Sequence, residues 1–373
     1  MKKIYLLFAL VLIFGCKKNE TLEVVKPTNP GSQTSNTNVL TNYSGNLPAT
    51  DALGRVLPTN KEVGGPKNGK YVGLFYWTWH TNFSNNIPYN TSEILAKDPS
   101  AIDNYNSPSW PVSGGTYFWN QPLFGYYRDT DDWVLRKHAE MLADAGVDAI
   151  FFDCTNGSFT WQESYMELCK VFEQARKDGV KTPQIVFMLA FSPTDGSLAA
   201  IKDIYNNLYK PGLYSDLWFK WKGKPLIMGY PDNLTDVAGD PIETALRKEI
   251  RNFFTFRPGQ PAYNTGPSRN DQWGWLEICP QHGYVDNGYG GYEQVTVGVA
   301  QNWSSARGLT AMNAPNAFGR SYTNGSGQNN QPDAELYGYN FQEQWDRAIA
   351  LNPEFIFITG WNEWIAGRYE LWQ

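Results

Sequence analysis

From Tyr71 to the end, the chain alternates short apolar runs with stretches of helical spacing, and this alternation limits the folds open to it. "YVGLFYWTW", "VDAIFFDCTNG", "PQIVFMLAF", "KPLIMGY", "NFFTF", "WGWLEI", "QVTVGVA" and "EFIFITG" read as eight strands. Such runs lack a polar face, as expected of strands covered on both sides by helices. Most are separated by helical segments, among them "DDWVLRKHAEMLADAG", with Trp133, Leu135, His138, Met141 and Leu142 in helical spacing and Gly146 as its stop. The pattern predicts an α/β chain folded as a (β/α)8 TIM barrel. A doubly wound open sheet is the runner-up, but it would want a glycine fingerprint after its first strand, and "YWTWHTN" has none. Only "GRYELWQ" follows the eighth strand's "GWNEWIA", so the expected barrel lacks its last helix.

Ahead of this domain, "MKKIYLLFALVLIFGC" joins Lys2 and Lys3 to an apolar run too short for a comfortable membrane span, the shape of a signal peptide. Its Gly15-Cys16 end resembles the bacterial lipobox, with bulky Phe14 departing from that pattern. Cys16 is the expected lipidation site, which implies a membrane partner through a lipid anchor and a place in the cell envelope, at the outer membrane or in the periplasm. Residues 17–70, with "KPTNPGSQTSNTN", have the composition of a flexible linker, leaving 71–373 as the folded domain. Cys154, Cys169 and Cys279 show no C-x-x-C spacing, so neither a disulfide framework nor a zinc site is expected. No metal or other cofactor is required, and a calcium site has no loop signature to support it.

In a (β/α)8 barrel, polar residues where strands run into the following loops are the functional candidates. Here these are Trp77, Trp79 and His80 after strand one, Asp153 after strand two, Glu277 and His282 around strand six, Gln301 and Asn302 after strand seven, and Asn362 with Glu363 after strand eight. Trp77 and Trp79 alternate along the first strand, so one is expected to face the centre and the other to pack outward. A net charge of −6 without a basic stripe argues against nucleic acid. Fifteen Trp and 22 Tyr exceed ordinary packing needs, and flat amphipathic rings stack well on sugars. Three carboxylates and several aromatics at one rim suit glycoside hydrolysis on a carbohydrate substrate, with Glu363, Asp153 and Glu277 as catalytic candidates. Each has a structural reading too: Glu363 hydrogen-bonded to loop amides, Asp153 capping "CTNG", Glu277 paired with an arginine. The histidines read more readily as orienting groups than as bases, and His138, within a helical pattern, reads as structural.

"AGVDAIFFD" followed far downstream by "FIFITGWNEWIAG" resembles the bacterial endo-α-mannosidases of glycoside hydrolase family ninety-nine and the neighbouring family seventy-one, all (β/α)8 barrels. The family ninety-nine pattern at strand eight is N-E-W-x-E-G. Asn362, Glu363, Trp364 and Gly367 match it, and Trp364 joins Asn362 as an implied sugar-binding residue, while Ala366 stands where the second glutamate should be. The resemblance implies glycoside hydrolysis with the missing proton donor drawn from Asp153, Glu277 or His282. The alternative is a non-catalytic glycan-binding surface lipoprotein on a degenerate barrel.

Overall fold

The computed structural model describes residues 49–80, 87–104, 106–111, 121–311 and 314–363, all within one compact unit, Tyr43–Gln373. Cys16, Trp364, Ala366 and Gly367 lie outside the described residues. Within them the elements run β1 (Tyr71–Tyr76), α1 (Asp132–Asp144), β2 (Ala149–Cys154), α2 (Gln162–Lys177), β3 (Gln184–Leu189), α3 (Asp195–Ile204), β4 (Lys224–Met228), α4 (Pro241–Phe253), β5 (Thr255–Phe256), β6 (Trp273–Gly274), β7 (Tyr292–Gly298), α5 (Tyr339–Leu351) and β8 (Phe355–Thr359). The architecture is mixed α/β. Among the described residues no helix is long and apolar enough to cross a membrane.

The helices start where local chemistry supplies caps. Asp131 accepts from the Val134 N–H at the head of α1, Thr194 from Ser197 at α3, and Asp240 from Glu243 at α4, with Pro241 opening that helix. In α1 the buried face is Val134, Leu135, His138, Ala139 and Leu142. Trp133 and Met141, which the sequence placed on that face, are exposed.

Parallel ladders join the strands in the order β5-β4-β3-β2-β1-β8-β7, with short antiparallel additions at Lys220–Trp221 and Tyr284–Asp286. This sheet is curled. Lys220–Trp221 and β8 stand five strand steps apart, about 24 Å if the sheet were flat, yet the Trp221 and Phe355 rings lie 6.1 Å apart. Phe355 also meets Phe219, Trp273 and Phe151 at 5.6, 5.0 and 5.7 Å, so the concave side is filled by aromatic side chains. Gly73 makes room for them, because a Cβ there would fall 2.4 Å from the Phe355 ring. On the convex side Phe152 and Phe187 pack against Tyr165 of α2, and Val295 and Val297 pack against α5.

The region between α4 and β7 departs from expectation. "NFFTF" divides between the end of α4, Asn252 and Phe253, and the two-residue β5, and "WGWLEI" keeps only two residues of strand, β6, which pairs with Gly259–Gln260. Pro258 and Pro261 have no N–H to give a ladder. Buried glutamines supply the missing bonds. Gln294 of β7 accepts from the Gly274 N–H at 3.0 Å and donates to the Gly274 C=O at 2.7 Å, so its side-chain amide joins β6 to β7. Gln260 holds Ala262 and Gly266, Gln272 holds Ser268 and Arg269, and Gln281 and Gln344 tie β7 and α5 to residues 277–281. Below them the buried Glu293 is paired with Arg257 and Lys222 and accepts from Trp273.

Residues 49–70 carry a β-bridge, Thr50 to Val56, and a helical turn, Asn60–Val63. Arg55 donates to the Tyr337 carbonyl and Lys70 to the carbonyls of Asn352 and Pro353.

Gln294→Leu should leave both peptide groups of Gly274 buried without a partner. At roughly 1–3 kcal/mol for each of the two orphaned groups, the variant is expected to unfold at clearly lower urea concentration, by about 2–6 kcal/mol. An unchanged midpoint would show that the β6–β7 junction does not depend on this side chain.

Candidate active site

The ends of β1, β2 and β8 meet at one place. Asn362, just past β8, accepts from the Trp77 N–H at 2.9 Å and donates to the Trp77 C=O at 2.7 Å. The β1–β8 ladder thus gains one more rung, made by a side chain. Trp77 is only 1% exposed, and its ring lies 4.5 Å from that of Trp79. Both lie past the end of β1 at Tyr76, so the alternation expected of a strand does not govern them. His80 lies against Trp77 at 4.2 Å and faces Tyr127 at 5.9 Å.

Asp153 continues the inward-facing set of β2 and is buried. Its Oδ1 accepts from the Thr155 N–H and hydroxyl at 3.1 and 2.7 Å, and its Oδ2 from the Trp79 indole at 3.0 Å. Burial raises its pKa against these bonds, which favour the ionised form. Asp153 thus caps the turn after β2, as the structural reading of the sequence has it.

Glu363 feels that charge. Half-buried, its carboxyl is pushed up to about 8, first by burial and then by the negative charge of Asp153. Tyr263 stands near enough for Glu363 to raise its hydroxyl's pKa beyond what burial does, and it donates to Asn302 Oδ1 at 3.0 Å. Two carboxyls, both raised by burial and one of them pushed up to about 8, therefore share the mouth of the curled sheet.

Aromatic rings wall one side. Trp79 stacks on Trp161 at 5.3 Å, and Trp161 on Phe159 at 5.0 Å. The stack leads from buried Asp153 to solvent, where Phe159 is 51% exposed. Trp161 precedes α2 with φ of 56°, a left-handed conformation unusual for a bulky residue.

Glu277 does not join this pair. Its Oε1 accepts from Gly266 N–H and His282 Nδ1 at 3.1 and 3.0 Å, and its Oε2 from His282 N–H at 2.9 Å. Burial raises its pKa. Glu277 thus fastens the irregular segment around residues 263–284, and it pairs with His282 rather than with an arginine. His80 and His138 are both neutral near pH 7, pushed down by burial to about 3 and about 4. His138, in α1, is hydrogen-bonded to the Tyr76 hydroxyl at 2.7 Å, in keeping with a structural role. Gln301 is fully buried after β7, with Asn302 beside it tied to Tyr263.

Tyr263, Tyr127 and Trp161 were missed by sequence reasoning. Tyr263 lies in an irregular stretch with no periodicity, and the aromatics of "SFTW" before α2 were the one available signal for Trp161. Among the described residues, no group of three or more His, Cys, Asp or Glu gathers in a way that could hold a metal ion.

No protein-family model and no curated protein matches the sequence. Among solved structures the chain is similar to a family ninety-nine endo-α-mannosidase from Bacteroides thetaiotaomicron in complex with bis-tris-propane, at 15% identity over 79% of this chain and 84% of that one, with a TM-score of 0.44. A second structure of the endo-α-mannosidase from that organism aligns at 15% identity over 79% and 85% of the two chains, with a TM-score of 0.41.

Glu277→Ala should act on stability. Removing the carboxylate leaves two backbone N–H groups and His282 without their acceptor, and losses of this kind cost about 3–5 kcal/mol. Chemical denaturation is the measurement, and a loss below about 1 kcal/mol would return Glu277 to the list of free carboxylates.

Proposed function

We propose that the chain is a glycoside hydrolase acting on an oligo- or polysaccharide, with Glu363 as proton donor and Asp153 as its anionic partner. The carrying observation is the Glu363 carboxyl, pushed up to about 8 beside the buried Asp153. A glycosidic oxygen is a poor leaving group until protonated, and an acid that keeps its proton near neutral pH can supply one. The cleaved sugar develops positive charge at its anomeric carbon, which the Asp153 carboxylate stabilises from the cleft floor. Trp79, Trp161 and Phe159 offer apolar faces along the approach, and Asn362 keeps the β1 and β8 ends in register. Ala366, in the resemblance to the family ninety-nine motif, leaves Glu363 without that motif's second glutamate, and Asp153 takes the partner role here.

The site would crown a (β/α)8 barrel whose sixth and seventh strands are joined through the Gln294 amide. The same reading keeps the lipid anchor at Cys16 and a place in the cell envelope. Cys16→Ser is then expected to release a folded, soluble protein from the membrane fraction, and retention of that variant in membranes would point to an uncleaved N-terminal anchor.

Glu363→Gln preserves shape but cannot donate the acid proton, so turnover of a glycan panel, read as new reducing ends, should fall by roughly 10²–10⁴. Wild-type activity should decline as pH rises through about 8, where Glu363 loses its proton. Stability should follow the same group. Folded Glu363 holds its proton above the ordinary carboxylate range, so its favourable contribution is full below about 4.5 and is lost as pH rises toward about 8. The Gln variant should therefore gain stability relative to wild type across that window. A variant with wild-type turnover would remove Glu363 from the chemistry. Sugar binding with no turnover by the wild type would favour a glycan-binding protein instead.

A further inference from the structure

The Gln301 side chain is fully buried, yet among the described residues neither its Oε1 nor its Nε2 has a hydrogen-bond partner. Every other fully buried glutamine, Gln281, Gln294 and Gln344, makes bonds to backbone groups. An unpaired amide inside a protein is destabilising by the desolvation of both of its polar atoms. Its neighbours locate it. Val295 and Val297 of β7 face α5, so Gln294, Thr296 and Gly298 face the concave side, in register with Phe355, Phe357 and Thr359 of β8. A Cβ on Gly298 would come within 2.5 Å of Gln301 Nε2 and 2.6 Å of Leu276. The amide therefore lies over the concave face at the top of β7, occupying the space that glycine leaves open. Gly298, beneath the amide, is in register with Thr359 of β8, four residues before Glu363, and the next residue, Asn302, accepts from Tyr263.

We infer that Gln301 is the specificity residue of this site, reading a pair of adjacent hydroxyls on a neutral sugar ring through its amide oxygen and nitrogen. An amide offers one acceptor and an N–H donor side by side. Adjacent hydroxyls complement it, one donating to Oε1 while the other accepts from Nε2. A carboxylate or phosphate does not, since its oxygens would face the amide oxygen with no proton between them. The inference rests on the glycan reading above and adds to it the substrate feature recognised: an uncharged ring with an accessible vicinal diol.

The test uses binding, which is separable from turnover. Methyl α- and β-pyranosides of mannose, glucose and galactose, and their monodeoxy analogues, are titrated against the full chain with saturation-transfer NMR as the readout. Wild type should bind at least one of these glycosides, with two neighbouring hydroxyls each essential. Gln301→Met, close in length and apolar, should weaken that binding at least about tenfold, the loss expected for two hydrogen bonds. Its melting temperature should stay level or rise, because an unpaired buried amide has been removed. Gln301→Leu serves as a second variant with the same expectation. Undiminished binding by either folded variant overturns the inference, as does a marked loss of thermal stability in both, which would mean the amide is bonded within the fold. Wild type that binds none of the glycosides overturns it too. Diol-dependent binding together with an inactive wild type leaves the role of Gln301 standing and removes the hydrolase.

Discussion

Side-chain amides standing in for peptide groups hold this structure together where its backbone ladders stop. A parallel sheet satisfies its backbone N–H and C=O groups through neighbouring strands, and a buried peptide group without a partner is costly. From Gly259 to Tyr292 the chain runs through prolines and turns with only short pieces of strand, and Gln260, Gln272, Gln281, Gln294 and Gln344 provide bonds the ladder does not. Asn362 does the same between β1 and β8. The site depends on this scaffold: the Asn362 rung holds the loop carrying Glu363, and Gln344 holds the top of β7 ahead of Gln301.

The chemistry follows from placing two carboxyls in a nearly dry, aromatic-lined mouth. Burial alone would push both toward the neutral form. Three donors from Trp79 and Thr155 favour the ionised form of Asp153, and that charge pushes Glu363 further up. The difference between the two carboxyls, which the proposed hydrolysis would use as acid and anion, thus comes from unequal hydrogen bonding. Glu277 illustrates the other outcome, a buried glutamate whose oxygens are taken up by backbone and histidine donors.

The sequence displayed the apolar strands plainly: β1, β2, β3, β4 and β8 all fall within the runs read as buried strands, and β7 overlaps its run but starts two residues earlier, at Tyr292. Asp153 and Glu363 were legible for the same reason, as carboxylates where such runs end. β5 and β6 were overread because aromatic residues there suggested strands, whereas the bonds come from glutamines that follow no period. In α1 the choice of Trp133 over Val134 shifted the buried face by one position, a slip that size and hydrophobicity invite. Tyr263 and Trp161 carried no periodic signal, since an irregular segment and a helix-leading loop position them.

Trp161 ties backbone shape to ring placement. A left-handed conformation costs a non-glycine residue about 1–3 kcal/mol, and glycine would adopt it more easily. Glycine, however, would leave a gap between Trp79 and Phe159. The start of α2 and the wall of the mouth are therefore set by one residue, and neither can be optimised alone. Sequence change around residues 155–161 is constrained from two directions, so this loop should tolerate drift less readily than its surface position suggests.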